Sequence, residues 1–126
     1  MQITINTDDL RPIYRQIVDE IKSLIARGEL SEGAQLPPVR QVAADLGVNM
    51  NTIATAYREL QDEGLIAVKH GSGAVVTSRR TTGASQDEMR QSLRGALTQM
   101  VLSGMKKTEI MSFVADELRG LLKGAK

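Results

Sequence analysis

"VRQVAADLGVNMNTIATAYREL", Val39 to Leu60, decides how the rest of this 126-residue chain is read. Val42, Ala43 and Leu46 recur at three- and four-residue steps, with Arg40 and Asp45 on the other side, so Val39–Leu46 is read as a short amphipathic helix. Gly47 ends it, and only Val48 and Asn49 precede a second helix, Met50–Glu63. Its apolar stripe is Ile53, Ala56, Tyr57 and Leu60, Asn49 suits its N-cap, and Gly64 stops it. Two helices joined by so short a Gly-containing turn fit a helix-turn-helix.

The second helix opens with Asn49, Met50, Asn51 and Thr52, where an ordinary solvated face would carry Glu and Lys. In a helix-turn-helix these first residues meet base edges in the major groove. Asn can pair bidentately with adenine, and Thr can bond a base or pack on a thymine methyl. The helix N-terminus adds free amides and partial positive charge. The bland alternative makes Asn49 only a cap and Asn51 and Thr52 merely exposed. It holds well for Asn49 alone and poorly for the set. Arg40, one turn into the first helix, has a fork suited to phosphate or guanine, weighed against a surface salt bridge such as one with Asp45.

Upstream, Pro12–Ala26 is read as a helix with the stripe Ile13, Ile17, Ile21, Leu24 and Ile25 and with Pro12 at its first position. Arg27 and Gly28 close it, and "GELSEGAQLPP" is read as a polar turn region. Downstream, "LIAVK" (Leu65–Lys69) and "AVVTS" (Ala74–Ser78) are β-prone runs around His70-Gly71-Ser72-Gly73, a hairpin that adds a wing. Lys69 and His70 flank its tip, with Arg79 and Arg80 just past it. A basic wing touching DNA backbone or minor groove is balanced against a plain solvated loop.

"RRTTGAS", residues 79–85, reads as a linker. Ser85 and Glu88 have capping-box spacing and start a helix over Gln86–Leu102, with Met89, Leu93, Ala96, Leu97, Met100 and Val101 on one face. Gly104 breaks it, and a last helix, Glu109–Leu122, carries Ile110, Val114, Leu118, Leu121 and Leu122 in phase. These two helices cannot bury both stripes fully against each other. A second chain is favoured over both helices folding back to finish the monomer's own core, since symmetric dimers are the commonest oligomers. Met89, Met100 and Met111 are then packing residues rather than ligand or metal contacts.

The expected architecture is mostly α with a small β-hairpin: a winged helix-turn-helix domain over residues 1–78, a linker over 79–85 and a short two-helix C-terminal dimerisation segment over 86–126.

Composition narrows the function. The chain has no Cys, so disulfides and thiolate metal sites are excluded and a reducing cytoplasm is the expected location. No apolar run approaches the ~18 residues of a membrane span, and "MQITINTDDL" lacks the regions of a signal peptide. With one Phe, two Tyr and no Trp, single-strand nucleic-acid modules that stack bases are disfavoured. Net charge is +1, and residues 1–80 hold nine Lys/Arg against ten Asp/Glu, so DNA binding must rest on where the cations sit. An enzyme is not expected. There is one His, Ser72 in "GSG" has no nucleophile-elbow context, and the carboxylate pairs Asp8-Asp9, Asp19-Glu20 and Asp116-Glu117 are sequence neighbours that point apart on a helix. No cofactor is expected.

The stretch "LPPVRQVAADLGVNMNTIATAYRELQDEGLIAVKHGSGAVV", Leu36 to Val76, resembles the GntR family of bacterial transcription regulators through its pattern L-P-x-x-R, L-G-V, N-T-[IV], A-Y-x-x-L, E-G-L-I and G-x-G. "RPIYRQIVDEIKSLIARGEL" resembles the family's first helix, and the two-helix tail resembles its YtrA subfamily. The resemblance implies a winged helix-turn-helix that binds double-stranded operator DNA as a homodimer and usually represses. It places the DNA contacts on Arg40, on Asn49, Asn51 and Thr52, and on His70 and Gly71. Relatives often carry Arg or Pro where this chain has Met50, and some carry Arg where it has Ala54, so base reading here rests more on Arg40 and the amides. The tail is too short for the effector or aminotransferase-like domains of other members, but leaves room for an unnamed small-molecule effector at a dimer seam. The competing reading is a winged-helix module for protein–protein contact without DNA binding.

Overall fold

The structure is a computed structural model that describes residues 1–69, 73–81 and 85–122. Its elements run α1 (Ile13–Ala26), β1 (Gln35–Leu36), α2 (Val39–Leu46), α3 (Met50–Asp62), β2 (Ile66–Lys69), β3 (Gly73–Val76), α4 (Gln86–Leu102) and α5 (Lys107–Leu121).

The stripes read from periodicity become the core. Ile17, Ile21, Leu24 and Ile25 of α1 meet Ile53, Ala56, Tyr57 and Leu60 of α3, with Val42 and Ala43 of α2 beside them. Ile13 departs from its stripe and is 41% exposed at the helix start. Pro12 stands just outside α1 as its N-cap (ψ 149°), rather than at its first helical position. Gln16 is buried although polar. Its Nε2 donates to the Arg11 carbonyl (3.1 Å) and its Oε1 accepts the Asn6 N–H (3.0 Å), so both halves of the amide are satisfied while they hold the N-terminal arm.

The expected hairpin is part of a three-stranded antiparallel sheet in the order β1-β3-β2. The polar turn region thus needs correcting: Gln35 pairs with Val75 and Leu36 with Ala74, and Leu36 is buried. Two residues are too few for a period-2 signal, and it is the open edge of β3 that makes this segment a strand. On the other side Lys69 pairs with Gly73 and Ile66 with Val76. The outer edge of β2 is partly satisfied by α3, because Gln61 Oε1 accepts the Val68 N–H at 2.8 Å.

Gly73 sets how closely the wing lies against α2. Its φ is +83°, and a Cβ there would stand 2.5 Å from the Leu36 carbonyl oxygen and 3.2 Å from the Pro38 nitrogen. Gly47, at φ +68°, makes the α2–α3 turn but faces open space. Gly73→Ala is therefore expected to cost about 2–4 kcal/mol, because left-handed strain is added to a backbone clash, and Gly47→Ala about 1–2 kcal/mol from strain alone. Urea denaturation of both variants checks the order, and equal losses would contradict it.

α4 occupies the span expected, and Ser85 Oγ accepts the Glu88 N–H at 3.1 Å. α5 begins two residues earlier than expected, at Lys107, because Glu109 Oε1 accepts the Lys106 N–H and so caps the turn before it. Neither helix has a buried residue. Met89 and Met111, read as packing residues, are 53% and 61% exposed in the single chain. No helix among the described residues is long and apolar enough to cross a membrane.

Candidate nucleic-acid interface

α3 begins at a hydrogen-bonded cap. Asn49 Oδ1 accepts the Asn51 N–H at 2.7 Å, and the Asn49 carbonyl accepts the Thr52 N–H at 3.0 Å. One lone pair of the Asn49 oxygen is thus committed to its own helix, and its amide donors are uncommitted. Met50 is 51% exposed, Asn51 is exposed, and Thr52 is half-buried. The Asn51 side chain bonds no described residue, which leaves donor and acceptor both available at the tip. The exposed face continues through Thr55 to Arg58, one and two turns on; Thr55 Oγ1 donates to the Asn51 carbonyl at 2.8 Å.

Arg40 and Lys69, far apart in sequence, come to one open cleft of about 580 Å³. Gln41 and Ala44 of α2, Met50 of α3 and Val68 of β2 line it as well, with Tyr57 at its base. Tyr57 holds the walls together. Its hydroxyl donates to the Pro37 carbonyl at 2.7 Å, fixing the start of α2 to the middle of α3, and burial pushes its phenol pKa up, so it stays a neutral donor. Gly73 brings the wing to the same end. His70 and Gly71, the remaining expected contacts, lie outside the described residues.

Charge is sorted across the fold. On the α1 side, Arg15 forms a two-pronged pair with Glu59 (2.7 and 2.8 Å), Lys22 pairs with Glu63, and Arg11 with Asp9 and Asp19. Arg11 holds the Asp9 carboxyl below its ordinary pKa. Arg40, Arg58 and Lys69 enter no ion pair among the described residues. The salt bridge weighed for Arg40 is absent, and Asp45 lines a different hollow, beside Met1 to Thr4. Among the described residues, Asp45 and Asp62 also enter no ion pair, but the cleft itself is lined by the unpaired cations Arg40 and Lys69 and by no carboxylate.

One assignment changes. Arg79 is not a wing cation: it turns back to the end of α1, where Nη2 donates to the Ala26 carbonyl at 2.7 Å and Nε to the Ile25 carbonyl at 3.3 Å. Gln41 lines the cleft and Arg58 is exposed on α3, though neither was singled out from the sequence. Arg58 lies seven residues after Asn51, hence on the same helix face, and that spacing could have found it. Gln41 needed the fold to bring β2 opposite it.

The family described as bacterial regulatory proteins, gntR family, matches residues 13–76, which holds the helix-turn-helix, the wing and the cleft. This chain belongs to the gntR family. It is therefore a transcription regulator with a winged helix-turn-helix, in a family of regulators rather than enzymes. This gntR member is similar along its length to the HTH-type transcriptional repressor YtrA of Bacillus subtilis, 29% identical with 98% of this chain and 97% of that one covered. It is also similar to the crystal structure of a transcriptional antiterminator from Listeria monocytogenes EGD-e, at TM-score 0.81 and 30% identity over 97% of this chain and 93% of that one. The DNA-binding domain of AraR, crystallised in complex with operator ORE1, matches at TM-score 0.51 and 27% identity over 61% of this chain and 94% of that one.

Proposed function

We propose that this gntR-family regulator is a cytoplasmic repressor that binds a near-palindromic operator as a homodimer. Residues 1–78 bind DNA, 79–85 connect, and 86–126 dimerise. Asn51 and Thr52 read bases, with Met50 packing against the groove. Arg40 takes phosphate or guanine, and Asn49 offers its amide donors. Lys69, His70 and Gly71 of the wing touch the backbone. The observation that carries this reading is the convergence of Arg40 and Lys69, both without ion-pair partners among the described residues, on the cleft beside the open end of α3. The same convergence weighs against a protein-contact module, whose main support was the neutral charge total.

Dimerisation is supported by what α4 and α5 leave uncovered. Met89, Leu93, Val101, Leu102, Met111, Phe113, Leu118 and Leu122 are between 49% and 76% exposed. Together they offer on the order of 800 Å² of apolar surface, about one side of a standard interface. A small-molecule effector, if this regulator takes one, belongs at the dimer seam, and the open hollow between Met105 and Asp116 is a wall that such a seam would cover.

Selection of bound duplexes from a random pool tests the reading. The expected result is two half-sites related by a two-fold axis, centred about 10 base pairs apart, with affinity falling about 1,000-fold between 50 and 200 mM salt. Recovery of no preferred sequence, with no salt-dependent binding to duplex DNA, would favour the protein-contact module.

A further inference from the structure

The segment read as a linker is fastened to the winged domain for its first part. After β3, the Thr77 hydroxyl donates to the Gly64 carbonyl at 3.0 Å, and the Thr77 N–H donates to the Leu65 carbonyl at 2.9 Å. Arg79 then reaches the carbonyls of Ile25 and Ala26. These are end groups of α1, a helix whose last turn has no basic residue of its own. The Ile25 carbonyl already accepts the Gly28 N–H, so the guanidinium satisfies the Ala26 acceptor, adds a second bond at Ile25 and meets the negative end of the helix dipole. Thr81 adds a weaker tie, its hydroxyl donating to Glu63 Oε1 at 3.3 Å, on the carboxylate that also holds Lys22.

We propose that Arg79, assisted by Thr81, is a strap that fixes where the chain leaves the winged domain and thereby sets the spacing between half-sites that the dimer accepts. The proposal rests on the dimeric operator-binding reading. Four residue steps separate Thr81 from Ser85, where α4 is capped, whereas seven separate Ser78 from it. At about 3.5 Å per extended residue, the reach is ~14 Å with the strap in place and ~25 Å without it. The gain summed over two protomers is about 20 Å, whereas each base pair added to the spacer moves a half-site about 3.4 Å along the duplex and about 35° around it. A strapped dimer is held to one spacing, and a released one has slack to follow a spacer longer by a few base pairs. Arg79 is a positioning residue in this scheme and touches no DNA.

The test uses the full chain and duplexes carrying two selected half-sites, with the spacer lengthened stepwise by up to 5 base pairs. Wild type is expected to prefer its best spacer about 10-fold or more. Arg79→Ala combined with Thr81→Ala, which removes both ties, is expected to keep its dimer mass and its affinity for a single half-site, while the preference falls below about 3-fold. Arg79→Lys, which keeps a cation at the end of α1, is expected to restore part of it. Thr81→Ala, at an exposed position, is expected to flatten the profile partway without disturbing the fold. A wild-type profile in every folded variant, or a flat profile in wild type itself, overturns the strap. A wild-type protein that is monomeric or ignores the half-site overturns the underlying reading as well, and the mass and the single-site titration identify that failure separately.

Discussion

A protein carrying Arg40→Ala and Asn51→Ala is expected to fold as wild type does and to bind its selected operator at least about 100-fold more weakly. Both side chains are exposed, and neither bonds its neighbours through its terminal groups, so the fold loses nothing by their truncation. The DNA side loses the Arg40 fork and the Asn51 amide from each protomer. A good bidentate base contact is worth about 1–3 kcal/mol, and the dimer makes each contact twice. Asn51→Ala alone should relax preference at one base position per half-site while leaving the others intact. Arg40→Ala alone should weaken binding and, where its partner is phosphate, lower the salt slope by about 1 per contact. Titration of labelled operator with each variant, alongside circular dichroism, decides the matter. A folded double variant that shifts operator as well as wild type would remove the assignment of this surface.

Leu93→Glu combined with Leu118→Glu should produce a monomer that keeps a working DNA-binding domain. The two leucines are 53% and 49% exposed, one on α4 and one on α5, so the single chain has little packing to lose. In a dimer the same positions would be desolvated, and four buried carboxylates without partners would prevent association. Without the partner, the second half-site is no longer bound at high effective concentration, and operator affinity is expected to fall about 100-fold or more while single-half-site affinity stays near wild type. Sedimentation gives the mass and titration gives the affinity. A dimeric mass for the variant would show that association runs through another surface.

The expected bounds of the helices matched the structure closely wherever the signal was local. α2 and α4 fall on the residues their apolar period marks, and Asn49 and Ser85 cap as their side chains allow. The candidate site was legible for the same reason: Asn49 to Thr52 are consecutive, and a helix start points its first turn outward whatever it is attached to. The rest was not local. β1 is two residues long and exists because β3 offers it an edge. Gln16 carries no sign of burial, since only the fold brings the Asn6 N–H within reach of its amide. Arg79 looked like one more cation by the wing until the end of α1 proved to lie beside it.

By itself, then, the order of residues determined the helices, the tight α2–α3 turn and the polar, uncharged opening of α3, because each depends on side chains within one or two turns of each other. Tertiary structure alone decided which cations stay unpaired and which surfaces meet. Arg15 is neutralised by a glutamate 44 residues away, whereas Arg40 shares a cleft with Lys69 instead of a salt bridge with Asp45. Electrostatic pairing acts through a few ångströms of space and takes no account of separation along the chain.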